Sequence, residues 1–179
     1  MSTAARIELL AVPGLPLIEA GDDLAGIICR HCADAGIGLG DGDVVIVAQK
    51  IVSKAEGRHV DLRGVEPSGL AVELAENVRK DPRLVETILS EARRIVRSAP
   101  DVLIVEHRLG LVMANAGVDQ SNVGSPPGSE RALLLPEDPD ASAERLRAGI
   151  RAIAGCEVAV VINDSFGRPW RLGTVGVAI

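Results

Sequence analysis

The run VVINDS over residues 160–165 leads an apolar segment straight into a carboxylate and a hydroxyl. The end of a buried strand holds such groups rigidly beside a crevice, a common ligand position. Asp164 offers hard oxygens of the kind that Mg2+ or Mn2+ takes, and Ser165 can add another directly or through water. The competing reading is that Asp164 caps the turn after the strand. A second carboxylate, Asp119, stands in ANAGVDQSN over residues 114–122. Small residues there let the backbone approach a ligand closely. Asp119 would then be a second metal ligand, and Asn122 would hydrogen-bond a base or sugar edge. The same stretch also reads as an ordinary turn-rich loop.

Cations lie at two further places. Lys50, Lys54 and Arg58 follow a β-branched run and can neutralise phosphates; the alternative is a solvated basic turn. Arg168 and Arg171 flank the only Trp, close to the only Phe, Phe166. Two such arginines can clamp a planar or anionic ligand by bidentate bonds and stacking. Otherwise Trp170 plugs the core and the arginines snorkel outward. Other signals carry less. Cys29 and Cys32 have CxxC spacing but fall inside a predicted helix with no second pair. His31, His59 and His107 are scattered. There is no Walker-type phosphate loop, no GxGxxG after a strand and no GxSxG elbow.

The elements that must position these groups alternate between strand and helix. Residues 6–12 read as a first strand and residues 14–18 as an apolar loop. Asp22 and Asp23 cap a helix with Leu24, Ile27, Ile28 and Cys32 on one face. Residues 43–48 predict a strand buried on both faces, and residues 59–62 a short one. Helices are predicted over 67–80 and 82–97, the second with a stripe of Leu84, Ile88, Ala92 and Ile95. In that reading Arg93, Arg94 and Arg97 suit its negative C-terminal end. Residues 102–106 and 109–114 predict a hairpin around His107 and Arg108. Residues 115–131 form the longest loop, a frequent location of function. A short strand over 133–135 precedes a helix from Asp138-Pro139, with Leu146, Ile150 and Ile153 facing inward. Residues 158–162 are the last clear strand before the Asp164 stretch. The pattern is mixed α/β, either α/β or α+β.

Composition bounds the partners. The 179 residues are 47% hydrophobic but only 1% aromatic, so the core is aliphatic, in one large domain or two small ones. Few aromatic faces argue against single-stranded nucleic-acid binding. A net charge of −6 argues against a general nucleic-acid partner. An anionic small substrate needs a local basic patch or a metal. The first 14 residues lack the pattern of a signal peptide, and no apolar run reaches the length of a membrane span. Three cysteines, an odd number, suit a reducing cytoplasm better than a disulfide framework.

Five stretches together, GLPLI (14–18) with GDDL (21–24), QKIVSKAEG (49–57), ANAGVDQSN (114–122), LLPEDPD (134–140) and DSFGRPWR (164–171), carry a resemblance. In this order they resemble the coenzyme F420-0:L-glutamate ligases, also called coenzyme F420 gamma-glutamyl ligases. The resemblance implies a mixed α/β (α+β) fold of that family's type with two subdomains, and a homodimer. It implies GTP-dependent ligation of L-glutamate to the phospholactyl carboxylate of coenzyme F420-0 through an acyl phosphate, with gamma-linked extension. A divalent metal, Mg2+ or Mn2+, is implied, with K+ as a further cation. Carried over by position, Asp119 and Asp164 resemble ligands of a first metal and Ser165 a ligand of a second. Leu15, Pro16, Leu17, Ile18, Gln49, Lys54 and Asn122 match GTP-contacting positions. Ser is common in the family at position 49, and Gln can still donate and accept there. No residue is assigned a catalytic role. Residues 1–179 then make one ligase domain lacking the C-terminal segment of the family, which supplies more of the GTP site and an acidic ligand. Two alternatives to a working ligase are a nucleotide- or F420-binding module without turnover and a metal-dependent phosphohydrolase. Some relatives carry a nitroreductase-like domain after the ligase domain, so fusion to such a domain is a further expectation.

Overall fold

The computed structural model describes residues 6–121, 130–167 and 172–179. Its first sheet has the order β1-β7-β8. β1 (Val44–Ala48) pairs in parallel with β7 (Ala159–Gly167), and β7 pairs antiparallel with β8 (Thr174–Ala178). Two helices cover one face. α1 (Leu24–Asp34) starts at Asp23, whose carboxylate accepts the Gly26 N–H at 3.1 Å. α5 (Pro139–Ala154) starts at Asp138 with Pro in its first turn and stops at Gly155 in the left-handed region. Ile28, Val47, Leu146, Ile150, Val158 and Ile162 form the core between helices and sheet. Cys29, Cys32 and Cys156 are buried in it as free thiols. The first of these has its pKa raised, by burial first and then by the two neighbouring sulfurs.

A second cluster is built from α3 (Gly69–Val78) and α4 (Pro82–Ser90) on the sheet β3-β4-β5. Its strands, β3 (Ala92–Ala99), β4 (Val102–His107) and β5 (Val112–Ala114), are antiparallel. Leu62, Val78, Val85, Ile88, Leu103 and Val105 fill this core. A short ladder of β2 (His59–Asp61) and β6 (Arg131–Leu133) belongs to this second cluster through Val60 and Ala132, and β6 also touches the helix α2 (Gln49–Ala55). The mixed α/β class holds, and two separate hydrophobic clusters match the expectation of two subdomains.

A charged cluster ties the halves. Glu91, next after α4, takes Arg58 Nη2 at 3.1 and 3.2 Å and Arg108 Nε at 3.0 Å. The same guanidiniums reach the chain before α5: Arg58 donates to the Leu135 carbonyl at 3.0 Å, and Arg108 to those of Pro136 and Glu137. His107 is fully buried; its Nδ1 accepts the Leu109 N–H at 3.0 Å, leaving Nε2 to face Glu91 at 3.4 Å. Burial works against the Glu91 charge, but the His107 imidazole and both guanidiniums overcome it and hold the pKa at about 2.

Several expectations need correction. Residues 6–12 form no strand: no described strand pairs with them, and Ile7 and Leu9 are exposed. The strand expected over 43–48 is covered on one face only, leaving Val44 57% and Ile46 63% exposed. The helix expected over 82–97 stops at Ser90, because the next residues pair with β4; Arg94 joins Glu106 across the ladder at 2.6 Å. Arg93, Arg94 and Arg97 therefore sit on a strand, not at a helix end. Residues 49–55 are helical where a basic turn was one reading. On α5, Leu146 and Ile150 face the core but Ile153 does not. The strand expected over 133–135 begins at Arg131.

Candidate metal and nucleotide site

Three segments converge beside the first sheet. β1 runs directly into α2, and its last residue, Ala48, is paired with Asn163 of β7. The first turn of α2 therefore starts alongside Asp164. From that turn Lys50 reaches Asp119, with Nζ 2.6 Å from Oδ2, and also donates to the Ser121 carbonyl at 3.1 Å.

Asp119 is held by its backbone. Asn115 and Ala116 both have φ of 53° and Gly117 has φ of 67°, so three successive residues turn in the left-handed region. Only glycine fits the third place: a Cβ on Gly117 would lie 2.9 Å from Leu135 side-chain atoms. The chain then locks onto β6, where Asp119 N donates to the Leu133 carbonyl at 3.0 Å and Leu133 N returns the bond at 2.8 Å. At the side chain, Ser121 donates both its N–H and its hydroxyl to Asp119 Oδ1 at 2.7 Å. Burial works to raise the Asp119 carboxyl, and the bonds from Lys50 and Ser121 outweigh it, holding the group below the usual carboxylate range.

Asp164 differs. It lies within β7 rather than at the end expected from residues 158–162, because β8 extends the pairing to Gly167. One oxygen, Oδ1, accepts the N–H of Ser165 at 2.8 Å. Burial, and then the nearby Asp119 charge, push its pKa up, with Lys50 acting the other way. Asp119 and Lys50 thus lie near enough to Asp164 to act on its charge in opposite senses.

The other expected positions are placed as follows. Ser165 is on the opposite face of β7 from Asp164, since successive side chains of a strand alternate, and it is exposed. The strand geometry does not bring its hydroxyl to the two aspartates. Gln49 is buried and its Oε1 accepts the Ser53 hydroxyl at 3.0 Å. Lys54 is only 9% exposed and, among the described residues, has no carboxylate within 4.0 Å. Leu15, Pro16 and Leu17 are exposed, whereas Ile18 is packed in the first cluster. Arg58, one of the cations read as able to neutralise phosphates, is engaged by Glu91 and Leu135. Asn122 lies outside the described residues, as do Arg168, Pro169, Trp170 and Arg171.

Sequence reasoning missed the Lys50–Asp119 ion pair and the part of Ser121. The second had a signal: a serine two residues after an aspartate is the pattern of an Asx turn. The first had none, since the partners are far apart in sequence. Asn115 Oδ1 is also buried without a hydrogen-bond partner among the described residues, an orphaned acceptor in the turn that sets Asp119.

The donor set fits a hard divalent cation. Asp119 and Asp164 are oxygen ligands with like charges, and the pair is short of positive charge. Among the described residues no third His, Cys, Asp or Glu completes a cluster. That suits Mg2+ or Mn2+, which typically take one or two protein carboxylates and fill the remaining positions with water and substrate phosphates.

Comparison with known proteins bears on the same stretches. The family model for F420-0:Gamma-glutamyl ligase matches residues 14–179. The Coenzyme F420:L-glutamate ligase of Methanothermobacter thermautotrophicus is 46% identical over 173 residues, covering 97% of this chain and 67% of that protein. Proteins of the same name from Methanopyrus kandleri and Haloarcula marismortui are 49% and 45% identical, with 95% and 97% of this chain and 65% and 66% of theirs covered. The chain thus spans about two thirds of the length of the curated relatives it matches. A match over nearly the whole chain, with both aspartates of the site inside it, shows that the chain belongs to the F420-0:gamma-glutamyl ligase family.

Proposed function

We propose that residues 1–179 form a ligase domain that joins L-glutamate to the phospholactyl carboxylate of coenzyme F420-0 at the expense of GTP, and extends the product through gamma linkages. The observation that carries this is the convergence of Asp119, Asp164 and Lys50 at the end of β1. A carboxylate does not condense with an amine in water. Phosphoryl transfer from GTP gives an acyl phosphate, and the glutamate amine then displaces phosphate. Such transfer is mostly positioning and charge neutralisation.

In this reading Asp119 and Asp164 hold a divalent cation, Mg2+ or Mn2+, which when bound neutralises phosphate oxygens as a Lewis acid. Ser165 stands near a second cation position; for its hydroxyl to share an ion with Asp164, the strand must bend or a water must intervene. Lys54, a buried cation with no carboxylate within reach among the described residues, faces the phosphates. Gln49, Leu15, Pro16, Leu17, Ile18 and Asn122 bind the rest of GTP, and K+ is a further cation. The chain works as a homodimer in the cytoplasm. Buried free thiols suit that compartment, and no described helix is long and apolar enough to cross a membrane.

The test is an assay with F420-0, GTP, Mn2+ and L-glutamate read by mass spectrometry. The expected product is a glutamate adduct, lost by about a hundredfold or more in Asp164→Asn, as for weakened hold on a cation that neutralises transition-state charge. GTP hydrolysis without an adduct would point to a phosphohydrolase instead.

A further inference from the structure

We infer that Lys50 is the internal counter-ion of the metal site: it stands in for a cation on Asp119 and must leave before a divalent ion can be held. The inference rests on the reading of Asp119 and Asp164 as metal ligands, and adds a residue that competes for them.

The geometry is specific. Asp119 Oδ1 is already committed to Ser121, by two bonds of 2.7 Å. Oδ2 is the oxygen left for a cation, and Lys50 Nζ occupies it at 2.6 Å. Lys50 is further held by the Ser121 carbonyl at 3.1 Å. That carbonyl belongs to the residue that binds the other oxygen, so lysine and serine together close the Asp119 carboxylate. Across the gap, Asp164 has only the bond from Ser165 N on Oδ1, and no described residue donates to its Oδ2.

Charge sets the direction. Asp119, Asp164 and Lys50 sum to one negative charge, so the site stays short of positive charge. A divalent ion added beside an unmoved Lys50 would overshoot to one positive charge and meet an ammonium at contact distance. With Lys50 swung away, two carboxylates and a divalent ion balance. The lysine is on a four-carbon stem in the first turn of α2 and is partly solvent-exposed, so it can rotate outward without unfolding the helix. The released ammonium then becomes free to pair with an anionic phosphate. Metal uptake and lysine release are one linked equilibrium: the lysine occupies Asp119 Oδ2 and lowers the affinity for a divalent ion on its own.

The experiment is a titration of Mn2+, without nucleotide, followed by the electron paramagnetic resonance signal of the free ion. Wild type, Lys50→Met, Lys50→Gln, Lys50→Arg and Asp164→Asn are compared, each shown folded by circular dichroism. Removing one partner of a partly exposed ion pair corresponds to about fivefold in affinity. Lys50→Met and Lys50→Gln should bind Mn2+ about fivefold tighter than wild type, and Lys50→Arg, which keeps the charge, no tighter. Unchanged or weaker binding in both neutral variants, with ion binding still lost in Asp164→Asn, overturns the role of Lys50 and leaves the metal site standing. No Mn2+ binding in any form, wild type included, overturns both.

Discussion

Glu91 shows how one side chain gathers distant segments. It pairs with Arg58 and Arg108 and faces His107, and those arginines in turn hold the carbonyls of Leu135, Pro136 and Glu137. Its pKa of about 2 lies below its ordinary value of 4.5, so its contribution is complete above about pH 4.5 and is lost as pH falls toward 2. Glu91→Gln should cost about 2–3 kcal/mol at pH 7, since it leaves two guanidiniums short of a counter-charge. Urea unfolding from pH 7 down to pH 3 checks this: the gap to wild type should narrow below pH 4.5, and a gap constant with pH would refute the assignment. Little of this cluster was legible in the sequence. Arg58 read as a phosphate contact because three cations follow one strand, and nothing local reveals that its partner lies 33 residues away. The two aspartates were legible because each stands in a stretch of unusual composition. Their closeness was not, since it depends on how β1 registers with β7.

At the scale of elements, legibility followed local chemistry. α1, α4 and α5 begin where Asp23, Asp81 and Asp138 cap them, and each cap accepts a backbone N–H. The end of α4 was misjudged because the Leu84, Ile88, Ala92, Ile95 stripe continues at helical spacing into a segment that tertiary pairing turns into β3. The α1–α5 contact depends on a missing side chain. A Cβ on Gly149 would lie 2.6 Å from the Ala25 Cβ, closer than carbon atoms pack. Alanine in a free helix is favoured over glycine by about 1 kcal/mol, yet Gly149→Ala should destabilise by about 1–3 kcal/mol through overpacking. A double-mutant cycle with Ala25→Gly tests it by thermal unfolding: the pair should recover part of the loss. Additive effects would mean the helices shift apart without strain.

Over the whole molecule, the hydrophobic content divides between two clusters that share no residue. The sheet of the first is covered by α1 and α5 on one face only, and Val44 and Ile46 point outward from the other. All three cysteines of the chain are in the first cluster and none is in the second. Each thiol is nine-tenths or more buried. A thiol-specific alkylating agent therefore has no target on the native surface and reacts only when this core opens, at α1 for Cys29 and Cys32 and between α5 and β7 for Cys156. Its rate, followed by mass spectrometry as a function of urea, is a clock for the opening of one half while the other keeps its own time. If the halves open independently, cysteine labelling should run ahead of global unfolding seen by circular dichroism; if they open as a unit, the two should coincide.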